Sequence, residues 1–102
     1  MQYDVILSGP IAGDPEFRAK FAQAVVTVRQ KWHGCSVWNP AMLDQERPYK
    51  WCIRQCVNAI MNDASETCVL VLLKGWNRSP GGVMEWALCR CLGMRIVEIS
   101  EI

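Results

Sequence analysis

Residues 67–73 read Thr67-Cys68-Val69-Leu70-Val71-Leu72-Leu73, an apolar run rich in valine and leucine with no polar alternation. A strand with one wet face alternates, whereas one that is apolar throughout is buried on both faces, as in a parallel sheet covered by helices. The flanking sequence agrees with that reading. Upstream, Cys52, Ile53, Cys56, Val57, Ile60 and Met61 recur at helical spacing and predict a helix from about Tyr49 to Ala64. Downstream, Ser79-Pro80 supplies an N-cap and a proline at the first helical position, predicting a helix from Pro80 to about Leu92. Gly93 closes that helix, and Met94–Ile99 predict a further strand.

The first half of the chain repeats the pattern. Tyr3–Leu7 form a short apolar run stopped by Ser8-Gly9-Pro10, and Asp14-Pro15-Glu16 look like the start of a helix. Phe17, Phe21, Ala24, Val25, Val28 and Trp32 then mark one apolar face, so that helix is expected from about Pro15 to His33. His33-Gly34 has the character of a helix end, with a cation near the negative pole of the dipole and a glycine for the left-handed turn. Cys35–Trp38 predict a short strand ended by Asn39-Pro40, and the polar stretch Asp44–Lys50 a surface loop. Strands alternating with helices require a parallel sheet with helices on both faces. The expectation is one domain over residues 1–102, a flavodoxin-like α/β three-layer sandwich with a four-stranded parallel sheet in the order 2-1-3-4.

Composition excludes several functional classes. Eleven basic residues against ten acidic ones leave a charge of +1, with no electrostatic footprint for a nucleic-acid polymer or a membrane surface. The longest apolar stretch, Cys68–Leu73, falls far below the roughly 20 residues of a membrane span. The start of the chain lacks the pattern of a signal peptide, so a cytoplasmic location is expected. None of the six cysteines forms a CxxC pair, and one histidine is too few to complete the usual zinc spacings. They are read as reduced, buried thiols, and neither a metal nor a cofactor is expected.

Ligands of open parallel sheets bind outside the carboxyl ends of the strands, beside the point where strand order reverses. Three loops are expected there. The first carries Ser8, Gly9, Pro10, Ile11 and Gly13, the second Asn39, and the third Trp76, Asn77 and Ser79 with Gly81 and Gly82 in the first helical turn. Bare amides at helix N-termini suit an anion such as phosphate. Glu85 follows Gly81 and Gly82 by four and three residues and shares their helix face, so its carboxylate is expected to lean back over two residues that have no side chain. Helix-interior glycines cost about 1 kcal/mol each relative to alanine, and a ligand-sized gap would explain that cost. The alternative for Glu85 is an exposed helical carboxylate, as most are. Trp32, Trp38, Trp51 and Trp86 are assigned to apolar faces, whereas Trp76 either stacks on a ligand ring or caps its loop.

As a set, SGPIAG (8–13), FRAKF (17–21), WNPA (38–41), LLKGW (72–76) and SPGGVMEWAL (79–88) resemble short phage and bacterial proteins of unassigned function related to the nucleoside 2-deoxyribosyltransferases and deoxynucleotide N-hydrolases. The resemblance spans nearly the whole chain. It implies a site for nucleosides or nucleotides, completed by a neighbouring subunit in a homo-oligomer, and it places Glu85 where the active relatives carry a glutamate that attacks the anomeric carbon. The sequence departs from that pattern at Gln55 and Asn58, where an acid is expected, and at Ser79, where an aspartate often precedes the glycines. Asp44, Glu46, Asp63 and Glu66 remain as possible replacements. The expectation is therefore a protein that binds a nucleotide or ADP-ribose-like molecule, such as a phage protein that sequesters a host immune signal in the host cytoplasm. An N-glycosidase or deoxyribosyltransferase with Glu85 as nucleophile is the alternative. A module that binds another protein through an apolar surface is a third.

Overall fold

A computed structural model describes residues 2–102. Four strands, β1 (Tyr3–Ser8), β2 (Val37–Trp38), β3 (Ala64–Leu72) and β4 (Arg95–Glu98), form one sheet in the order β2-β1-β3-β4. Every neighbouring pair is parallel, with Val5 opposite both Val37 and Val69, and Val69 opposite Arg95. Three helices flank it: α1 (Phe17–Lys31), α2 (Tyr49–Asn58) and α3 (Pro80–Cys91). This is the expected α/β architecture of flavodoxin-like form, with the order of strands reversing between β1 and β3.

The two-residue period of the central strands separates two cores. Val5, Leu7, Val69, Val71 and Leu73 face α1 and meet Phe17, Phe21, Ala24 and Val28. Ile6, Leu70 and Leu72 face the other way, against Ala59, Ile60 and Cys89. Because β1 and β3 are buried on both sides, their apolar runs show no alternation.

Several boundaries differ from the sequence expectation, each for a local reason. α1 starts at Phe17, two residues late, because Asp14 is spent on a turn: its Oδ1 accepts from the Glu16 amide at 2.9 Å and its Oδ2 from Lys20 Nζ at 2.7 Å. The helix ends at Lys31, and Trp32 turns out in extended conformation before Gly34, whose φ of 73° is left-handed. β2 is trimmed to two residues at the sheet edge. After α2 the chain makes a wide π-type turn over Ala59–Asp63, which keeps Ala59 and Ile60 in the core and delivers the chain into β3 at Ala64, three residues before Thr67. The β1–β3 register slips there, between Tyr3 opposite Ala64 and Val5 opposite Val69. Among the described residues, no helix is long and apolar enough to cross a membrane.

Candidate functional site

The loops at the carboxyl ends of β1 and β3, together with α2 and the start of α3, enclose an open cleft of about 1340 Å³. Its wall from the first loop is Gly9–Asp14, its wall from α2 is Tyr49, Cys52, Ile53 and Cys56, and its third wall is Leu73–Gly75 with Arg78–Gly82. Close backbone crossings build this shape. A side chain on Gly9 would place its Cβ 2.8 Å from Leu73 Cβ, and the Leu73 amide donates to the Ser8 carbonyl at 2.7 Å. Gly75, at φ 86°, turns the third loop against Pro10 of the first.

Glu85 lines the cleft from α3, only 5% exposed. Its Oε1 accepts the Ser8 hydroxyl at 3.2 Å, while Oε2 is buried without a hydrogen-bond partner. Burial pushes the carboxyl up to about 7, and the Ser8 hydroxyl pulls against that rise by favouring the charged form. The neighbouring thiols of Cys56 and Cys89 are pushed up to about 12, first by their own burial and then by the charge of Glu85. Both thiols are therefore neutral at physiological pH.

The two glycines ahead of Glu85 have different causes. A Cβ on Gly82 would lie 2.5 Å from the Trp76 carbonyl oxygen, so this glycine lets the 76–78 turn pack on the helix. Gly81 faces the cleft, where a Cβ would make ordinary contacts with Ile53 and the Tyr49 hydroxyl at 3.5 Å. Close packing against the 76–78 turn thus explains Gly82, and no such crossing requires Gly81. Ser79 caps α3 as expected, its hydroxyl accepting from the Gly82 amide at 3.3 Å.

Of the residues singled out from the sequence, Gly9, Pro10, Ile11, Gly13, Ser79, Gly81, Gly82 and Glu85 are brought together around the cleft. Ser8 lies beneath it, fully buried. Asn39 uses its side chain to accept from the Ala41 amide at 3.0 Å, capping the short turn Pro40–Met42. Trp76 faces away: its ring stacks on Trp86 with centroids 5.8 Å apart, and its indole donates to Glu98 at 3.2 Å. With Asn77 it borders a smaller cavity of about 460 Å³ beside Glu98 and Ser100. Gln55, Asn58, Asp44, Glu46, Asp63 and Glu66 stand outside the cleft lining.

Sequence reasoning missed the α2 wall and the cations. Tyr49, Cys52, Ile53 and Cys56 follow an i, i+3, i+4, i+7 stripe, which marked a buried face but did not say that part of it borders a cleft. Arg47, Lys74 and Arg78 line the rim, Arg47 resting 4.7 Å over the Trp51 ring. Lys20 also lines it but is paired with Asp14.

Comparison with known protein families matches residues 3–98 to a domain of unknown function, DUF4406. The chain belongs to this family. Searches of curated proteins and of solved structures found no match. The family match covers β1 through β4 and the three helices, and thus every cleft-lining residue except Ile99.

Proposed function

We propose that this DUF4406 protein binds a nucleotide or ADP-ribose-like small molecule in the cleft over Glu85. The observation that carries the reading is the carboxyl itself, held on one oxygen and unpartnered on the other at the floor of an open cleft. A buried polar atom without a partner costs about 1–3 kcal/mol, and a ligand hydroxyl on Oε2 removes that cost. Arg47, Lys74 and Arg78 around the rim match an anionic group, which favours a nucleotide over a nucleoside. The apolar wall of Ile53, Cys52, Cys56 and the Tyr49 ring suits a flat ring system.

Binding without turnover is favoured over glycosidase chemistry by what surrounds Glu85. A glycosidic nucleophile must be ionised and needs an acid to protonate the leaving base. Here the carboxyl is about half protonated near neutrality, and the other acids lining the cleft are Asp14, engaged by Lys20, and Glu16 beside it. Capture of a nucleotide signal needs affinity alone, and a homo-oligomer would complete the open side of the cleft. The glycosidase reading keeps one observation in its favour: a carboxyl pinned on one oxygen with the other free is also how a nucleophile is presented.

The test is native mass spectrometry and thermal shift of the purified protein with nucleosides, deoxynucleotides, NAD-derived ribosides and cyclic nucleotides, each mixture checked for released base. An intact bound ligand, lost on Glu85→Ala, is the expected result. Free base released by the wild type and not by the variant would replace it with the enzyme. Silence across the whole set would remove both readings in favour of a protein-binding module.

A further inference from the structure

We infer that Ser8 is a positioning residue for Glu85, its hydroxyl holding Oε1 so that Oε2 remains the oxygen offered to a ligand that Ser8 itself does not touch. The inference rests on the reading of Glu85 as the acid that meets the ligand, and it follows from where the strand period puts a serine. β1 sends Ile6 and Ser8 toward the α2 and α3 side of the sheet, into a layer otherwise made by Leu70, Leu72, Ala59, Ile60 and Cys89. A hydroxyl in that layer costs free energy unless it is bonded. Ser8 is 0% exposed, and its backbone is fixed by pairing with β3, opposite Leu72. The side chain therefore has little freedom except to turn its proton to the carboxylate that α3 brings above it.

The converse holds for Glu85. Among the described residues, Ser8 is the one hydrogen-bond donor to its carboxyl. The groups that face it from the packed elements are Ser8 from β1, Cys56 from α2 and Cys89 from α3 itself, and both thiols are held neutral by burial. With no cation at the floor, the hydroxyl is what offsets burial and keeps the ionised form accessible near neutral pH.

The experiment is a carboxyl-carbon NMR titration of glutamate-labelled protein without ligand, the Glu85 resonance being identified by its absence in Glu85→Gln. Ser8→Ala removes the donor, and Ser8→Cys keeps the approximate size with a much weaker donor. The Glu85 midpoint is expected to rise by about one pH unit in Ser8→Ala and by less in Ser8→Cys. A midpoint unmoved in both variants, each folded by circular dichroism, overturns the inference. Because the titration uses the free protein, a raised midpoint in a protein that binds no nucleotide supports the Ser8–Glu85 coupling while removing the proposed function. An unmoved midpoint in a protein that does bind one has the opposite meaning.

Discussion

Replacing Glu85 with glutamine removes an ionisable group from a place where its charge is costly, and the size of that cost follows from the structure. The folded carboxyl titrates at about 7 against an ordinary value of 4.5. Below 4.5 the group is protonated in both folded and unfolded chains and contributes nothing to the pH dependence. As pH rises from 4.5 to 7, the unfolded chain ionises while the folded one holds its proton, so stability falls. Above 7 the full penalty is present. At about 1.4 kcal/mol for each pKa unit, the loss reaches roughly 3 kcal/mol. Glu85→Gln keeps the volume and an oxygen for the Ser8 hydroxyl but carries no charge, so it should match the wild type near pH 4.5 and exceed it by about 2–3 kcal/mol at pH 8. In a domain of this length such a difference raises the melting temperature on the order of 10 °C. Urea denaturation of both proteins at several pH values from 4.5 to 8 measures the difference directly, and titrations common to both cancel. A wild-type-minus-variant difference that stays flat across that range would refute the reasoning, since it would mean that Glu85 ionises as an exposed carboxylate does. A ligand that donates to Oε2 should reduce the difference by stabilising the ionised wild type.

Gly82→Ala should destabilise the fold by about 1–3 kcal/mol despite alanine's better helix propensity, because the new methyl meets the Trp76 carbonyl at 2.5 Å; a stabilised variant in the same urea assay would contradict this packing. Gly81→Ala should leave stability within about 1 kcal/mol of the wild type or improve it, since its methyl would make ordinary contacts with Ile53 and the Tyr49 hydroxyl, while weakening any ligand seated against that part of the cleft. Trp76→Phe should keep ligand affinity unchanged and lose the indole bond to Glu98, at about 1 kcal/mol of stability; a large loss of affinity would put Trp76 in the site. With a disulfide-exchange reagent at pH 8, Cys91 should react first, and the buried Cys68 and Cys89 only as fast as the protein opens; a prompt burst from those two would contradict their burial.

Strand and helix order was legible because it depends on local periodicity and punctuation. Thr67–Leu73 read as a buried strand, and β3 contains that run up to Leu72 while starting earlier, at Ala64; Ser79-Pro80 could hardly be anything but a helix start, and α3 begins there. Boundaries were less legible where side chains chose local bonds over the helix. Asp14 had the right identity for an N-cap, but it bonds the Glu16 amide and Lys20 instead, and no propensity reports that competition. The π-type turn at Ala59–Asp63 was hidden for a related reason: one residue more in a helical turn barely alters the apolar stripe that reveals the helix.

Glu85 could be singled out from spacing and family resemblance, but its environment could not. Its burial, the Ser8 bond and the unpartnered Oε2 arise from segments 77 residues apart in sequence, joined when β1 and β3 pair and α3 folds back over them. The same packing moved Trp76 out of the cleft, onto Trp86 and Glu98, and gave Gly82 a structural cause where a ligand had seemed the explanation. By itself the sequence determined the alternation of elements, the parallel sheet and the edge at which the cleft opens, since these follow from periodicity and chain connectivity. Only the tertiary structure decided which side chains face the cleft, because facing is set by contacts between elements and a local pattern does not encode the rotation of one element against another.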